Sequence, residues 1–250
     1  MVHLLVGKKV AFIGDSFSAY WQENVEKNSW TYQLAQKFPQ HQYYNYAFGG
    51  RGHDYYEWCF LDAKLRGIDI IFTNRTFKQR VTEFGLSGNF EFEENAIDSN
   101  YITLEGPNHV WYSIHKKSGM FKNTTDEYPK NIEFNITQSL ERKSTSDVYH
   151  SWNDTWYNNV DKLYNFEHII KLELLRMVDN PTLHTAEVEL YKRFVPGGKE
   201  IFNKDTEVHM KAAYDCGITV APDDNHWSLL GNEWVLNNFI LTKETIDILS

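Results

Sequence analysis

The chain has 250 residues, 42% hydrophobic and 16% aromatic, with a formal net charge of −9. That is enough length and apolar material for one substantial folded domain, and it excludes a disordered chain. The acidic balance excludes a general affinity for the nucleic-acid backbone, which needs clustered Lys and Arg; the pair Lys8-Lys9 is no patch.

No apolar run approaches a membrane span, so the expectation is a soluble protein. Cys59 and Cys216 lie far apart inside apolar stretches and read as small buried hydrophobes, which fits a reducing compartment. The nine residues before Val10 are too short for a secretory signal, so a cytoplasmic location is expected. The glycosylation sequons at Asn74, Asn123, Asn135 and Asn153 then read as chance.

The first element is the apolar run Val10-Ala11-Phe12-Ile13, a buried strand ending in Gly14-Asp15-Ser16. A strand followed by a tight glycine turn places Ser16 at the carboxyl end of a sheet, where open α/β folds keep their chemistry. The same tripeptide is also ordinary turn and cap chemistry. Trp30, Leu34 and Phe38 at i, i+4, i+8 predict a helix over 29–38, stopped by Pro39, and Gln42 to Ala47 predicts a second strand. The loop Gly49-Gly50-Arg51-Gly52 leads into a helix from Asp54 to Arg66, with Tyr55, Trp58, Asp62 and Leu65 along one side and Gly67 as its C-terminal cap. Ile68 to Thr73 is a third strand, with Asn74 at its end. Strands alternating with helices describe a parallel βαβαβ unit.

From about 85 to 159 the periodicity fails, and this stretch is expected to be an irregular insertion or lid within a single domain spanning 1–250. Asn131 to Ile136 alternates and reads as one strand within it. Leu163, Phe166, Ile170, Leu174 and Met177 predict a helix ended at Asn180-Pro181. Residues 182–214 fit helix or strand equally. Gly217 to Pro222 reads as a short strand, followed directly by Asp223-Asp224-Asn225-His226 and an amphipathic helix.

An Asp three residues before a His can serve a nucleophilic serine: the imidazole accepts the hydroxyl proton and the carboxylate orients it. With these residues in place the chain resembles the SGNH hydrolase superfamily, the GDSL-type esterases and lipases, whose four blocks supply Ser, Gly, Asn and His. Gly14-Asp15-Ser16 matches the first block, with Phe17 where many members have Leu. Asn45-Tyr46-Ala47-Phe48-Gly49-Gly50 matches the second, with Gly50 as the block glycine and Gly49 the alternative. Asp223 and His226 match the last, followed by Ser228 and Gly231. The third block departs from the usual Gly-x-Asn-Asp: Phe72-Thr73-Asn74-Arg75 keeps only the Asn. The match covers roughly the first eighty and the last thirty-five residues.

The resemblance implies a three-layer α/β/α fold of the flavodoxin-like type around a central parallel sheet. It implies a serine esterase with Ser16 as nucleophile, His226 as general base and then acid, and Asp223 as its orienting partner. The backbone N–H groups of Ser16 and Gly50 and the amide of Asn74 would form the oxyanion hole. The substrate implied is an ester, an O-acetyl on a carbohydrate being one form, and the chemistry calls for no cofactor.

From the residues alone Asp224 remains an alternative to Asp223. Asp223, Asp224 and His226 lack the distant ligands that a metal site needs. Arg51 and Arg75, beside the block Gly and Asn, are candidates to contact an anionic part of the substrate, with a surface or salt-bridging role as the alternative. His109, His115 and His150 read as surface residues. The departure at Asn74-Arg75 motivates a second expectation: a catalytically degenerate member of the same fold that binds a glycan or a protein partner.

Overall fold

The computed structural model describes residues 7–19, 26–49, 51–76, 80–84, 91–106, 109–114, 121–122, 146–172, 174, 185–195, 197, 206–221 and 224–250. Strand β1 (Lys9–Ile13) runs through the middle of the protein, and its last four residues are buried. It pairs in parallel with β2 (Gln42–Asn45) on one side and with β3 (Ile70–Asn74) on the other. Helix α1 (Trp30–Lys37) connects β1 to β2, capped by Ser29, whose hydroxyl accepts from the Tyr32 amide. Helix α2 (His53–Leu65) connects β2 to β3, and Gly67 beyond it takes the left-handed conformation at φ 67° that a glycine tolerates at a helix end.

The buried side of α2 is Tyr55, Tyr56, Cys59, Phe60 and Ala63, whereas Trp58 and Leu65 of the predicted face are exposed. Apolar and aromatic residues crowd its first turns, so spacing alone does not choose the stripe. Burial pushes the Cys59 thiol well above its ordinary range, and neither Cys59 nor Cys216 is in a disulfide.

Within the stretch from 85 to 159, described residues form regular elements that its pattern does not predict. Strands β5 (Glu93–Asp98) and β6 (Tyr101–Glu105) join the central sheet, while β4 (Arg80–Phe84), β7 (His109–Ile114) and β8 (Phe121–Lys122) form a separate antiparallel sheet. β5 is exposed along nearly its whole length, so it carries no apolar alternation to read. The strand expected at Asn131–Ile136 lies outside the described residues.

The helix predicted from Leu163 toward Met177 is corrected. Helix α3 (Ser146–Leu163) stops where that prediction begins, and His168–Leu172 is strand β9, paired in parallel with β3 from Ile70↔His168 to Asn74↔Leu172. The run His168-Ile169-Ile170-Lys171-Leu172 is too short for period to separate helix from strand. The edge of β3 supplies the ladder hydrogen bonds that decide it.

The central sheet has the order β5-β6-β2-β1-β3-β9, parallel except at β5–β6. Beyond it come helices α4 (Thr185–Phe194) and α5 (Thr206–Asp215), then the antiparallel ribbon of β10 (Thr219–Ala221) and β11 (Asp224–Trp227). Helix α6 (Leu229–Val235) continues through a π-helical turn, and α7 (Lys243–Leu249) closes the chain.

Alternation along β1 divides the core. Val10 and Phe12 face a cluster with Trp30 and Leu34 of α1, Leu190 of α4 and Val235 of α6. Ala11 and Ile13 face the other, with Cys59 and Phe60 of α2 and Tyr157 and Val160 of α3. Helices therefore cover both faces of a mostly parallel sheet, an arrangement compatible with a three-layer α/β fold. The ring of Phe12 lies 5.4 to 5.8 Å from those of Trp30, Phe72 and Tyr43, fixing the strands that carry the site. No described helix is long and apolar enough to cross a membrane.

Candidate active site

The parallel strands β1, β2 and β3 release their loops at one end of the sheet, and the first three sequence blocks meet there. After β1 the chain makes a tight turn in which the amides of Ser18 and Ala19 both donate to the Asp15 carbonyl at 3.0 Å. The Phe17 amide donates to Asp15 Oδ1 at 3.1 Å, so Asp15 braces the turn that carries Ser16. Ser16 is 6% exposed. Gly14 is required by a close approach: a Cβ there would stand 1.9 Å from Asn74 Oδ1 and 2.9 Å from the Ser18 side chain.

Asn74, fully buried at the end of β3, clasps this turn. Its Nδ2 donates to Asp15 Oδ1 at 3.1 Å and to the Arg75 carbonyl at 3.3 Å, and its Oδ1 accepts from Ser18 Oγ at 2.6 Å. The Ser18 hydroxyl thereby sets which way the amide points. Both Asn74 amide protons have acceptors within the protein, the longer bond being the one to Arg75. Asn45, at the end of β2, holds the far side of the turn by donating to the Ser18 carbonyl at 3.1 Å and to Tyr101 Oη at 2.9 Å.

In the second loop the Phe48 amide donates to the Gly14 carbonyl at 3.1 Å. Gly50 lies outside the described residues. Arg51, just after it, is 5% exposed; its guanidinium carbon lies 4.3 Å from the centre of the Phe48 ring and 5.7 Å from that of Tyr55. Its carbonyl accepts from Thr76 Oγ1 at 2.7 Å. Arg75 turns toward α3, where Nη2 donates to Asn158 Oδ1 at 2.8 Å and the guanidinium lies 5.2 Å from the Tyr157 ring centre.

The fourth block arrives on β11. The His226 ring stacks on that of Phe17, centres 5.3 Å apart and planes 21° apart, and its Nε2 is buried. Trp227 packs edge-on against the same Phe17 at 4.9 Å. Trp30 fastens the two blocks together: its indole Nε1 donates to the Phe17 carbonyl at 2.9 Å and its backbone amide to Asn232 Oδ1 at 3.1 Å. Asn232 Nδ2 donates in turn to the Trp227 and Ser228 carbonyls, both at 3.0 Å. Asp223 and the side chain of Asp224 lie outside the described residues, as do the side chains of His109, His115 and His150. Among the described residues no group of three His, Cys, Asp or Glu side chains is arranged to hold a metal ion.

Asn74 is thus bonded to the turn that carries Ser16, and His226 is stacked on Phe17, the residue next to Ser16. Of the residues that make these contacts, Asp15, Phe17 and Asn45 stand within the matched blocks and Trp30 within a predicted helix, but none was given a site role by sequence, and Ser18 was not singled out at all. A scan of protein-family models matches none to this chain, and a search of curated proteins finds no match.

Proposed function

We propose that the chain is a serine hydrolase of the SGNH type that cleaves a carboxylic ester, such as an O-acetyl group on a carbohydrate, through an acyl-enzyme on Ser16. The observation that carries this reading is the convergence on one turn: Asn74 bonds to the residues before and two after Ser16, and His226 stacks on the residue between them. A purely structural Gly-Asp-Ser turn has no need of an imidazole from the far end of the chain.

In this mechanism His226 takes the Ser16 hydroxyl proton as Oγ attacks the ester carbonyl, and the carbonyl π electrons move onto oxygen. Collapse of the tetrahedral intermediate breaks the bond to the alcohol, which leaves with the proton from His226. Water then repeats the sequence on the acyl-enzyme and regenerates Ser16. Asp223 orients the imidazole. The oxyanion is met by the backbone N–H groups of Ser16 and Gly50, and by Asn74 when its amide gives up the 3.3 Å bond to the Arg75 carbonyl.

A second reading rests on that same bond: with both amide protons of Asn74 accepted internally, the site is a glycan- or partner-binding relic without turnover. Hydrolysis of p-nitrophenyl acetate separates the two. The hydrolase reading expects turnover that disappears in Ser16→Ala without loss of folding. Equal rates for the wild type and Ser16→Ala would reject it, and glycan binding that survives the substitution would favour the relic.

A further inference from the structure

Asn232, buried in α6 at 7% exposed, has its whole amide in use. Its Oδ1 accepts from the Trp30 backbone amide at 3.1 Å, and its Nδ2 donates to the Trp227 and Ser228 carbonyls, both at 3.0 Å. One acceptor and two donors on so short a stem are what a carboxamide offers, and a carboxylate would set oxygen against both carbonyls. Trp30 is itself fixed to the sheet: it is 1% exposed, with its ring centre 5.4 Å from that of Phe12 on β1 and 6.4 Å from that of Phe72 on β3. Its indole Nε1 donates to the Phe17 carbonyl at 2.9 Å. A chain of three hydrogen bonds therefore runs from the residue after Ser16, through Trp30 and Asn232, to the residue after His226.

We propose that Asn232 is a positioning residue that holds His226 in its place beside the Ser16 turn, acting through Trp30, an inference that rests on the hydrolase reading. The ribbon β10–β11 that carries His226 is a separate two-stranded sheet, and its ladder shifts register between Thr219 and Ala221. A two-stranded ribbon has little stability of its own, so contacts outside its ladder decide where it lies. The stacking of His226 on Phe17 is one such contact, but ring faces slide over one another at small cost, whereas hydrogen bonds weaken steeply as they bend. Asn232 supplies the directional part. Its partners are backbone groups, so its effect reaches the reaction through the position of the imidazole, where a displacement of about 1 Å is enough to lower a rate by about 10²-fold.

The test is a double-mutant cycle with kinetics on p-nitrophenyl acetate and hydrogen exchange of the 224–232 peptide. Asn232→Ala in the wild-type background is expected to lower kcat by about 10- to 100-fold with KM changed less than about twofold, and to speed exchange of that peptide. In the His226→Ala background the same substitution is expected to cost less than about twofold, because the group it positions is gone. A brace acting on the fold at large would cost as much in both backgrounds. Equal losses in the two backgrounds, or an unchanged kcat in folded Asn232→Ala, would overturn the proposal. If Asn232→Ala does not fold, Trp30→Phe, which removes the indole donor and keeps a ring, goes through the same cycle: a loss confined to the background that retains His226 supports the proposal, and an equal loss or an unchanged rate overturns it. A wild-type protein without Ser16-dependent turnover fails the hydrolase reading itself and removes the catalytic half of this one. The exchange comparison then decides the other half, faster exchange in Asn232→Ala showing that the amide holds β11 and unchanged exchange showing that it does not.

Discussion

On the proposed mechanism, His226→Ala is expected to lower kcat on an ester substrate by on the order of 10⁴- to 10⁶-fold and to leave KM nearly unchanged, the pattern for loss of a base that acts in the transition state. The ring also covers Phe17, so its removal costs about 1 kcal/mol of packing, too little to unfold a domain of this size. The cavity left against Phe17 gives a second check. Added imidazole is expected to restore part of the lost activity, because a free ring can occupy the same face of Phe17 and take the Ser16 proton. The measurement is kcat with and without imidazole at a fixed pH, and a variant within tenfold of the wild type would remove His226 from the mechanism.

On the proposed mechanism, Asn74→Ala is expected to strike chemistry and fold together. Losing one oxyanion donor costs about 10²- to 10³-fold in kcat. The same substitution strips Asp15 Oδ1 and Ser18 Oγ of buried partners, which costs about 2–3 kcal/mol of stability. Ser18→Ala removes only the 2.6 Å bond to Asn74 Oδ1 and is expected to cost about 1 kcal/mol. Urea unfolding together with kcat, measured well below the transition, separates the two contributions. A loss of stability with unchanged kcat would make Asn74 a brace for the turn alone. A loss in kcat greater than Ser18→Ala produces would give its amide a part in the oxyanion hole.

The strands that carry the site were legible because their residues sit in the most repetitive environments of the fold. Val10–Ile13 and Ile70–Asn74 are buried on both faces of a parallel sheet and read as short apolar runs. The exposed strand Glu93–Asp98 had nothing to mark it. His168–Leu172 was misread because its fate depends on a partner edge rather than on its own spacing. The same division holds at the site. Ser16, Asn74 and His226 stand in recognisable local company, and the structure sets Asn74 and His226 against the turn that carries Ser16. The contacts of Phe17 with His226 and of Trp30 with Phe17 and Asn232 are made across the chain, which no local pattern encodes. Phe17 was noted only for standing where many members of the resembled family have Leu, and the structure stacks His226 on its ring. Arg51 and Arg75 were noticed for their charge and their neighbours, whereas the structure lays one guanidinium on Phe48 and Tyr55 and directs the other to Asn158 and Tyr157.

The central claim is that Ser16 is a nucleophile activated by His226, and a fluorophosphonate reagent followed by peptide mass analysis tests it most directly. One phosphonyl group is expected on the peptide that contains Ser16, formed at neutral pH by the folded protein and absent from both Ser16→Ala and His226→Ala. Folded protein that stays unlabelled, or that carries the adduct on another residue, would contradict the account.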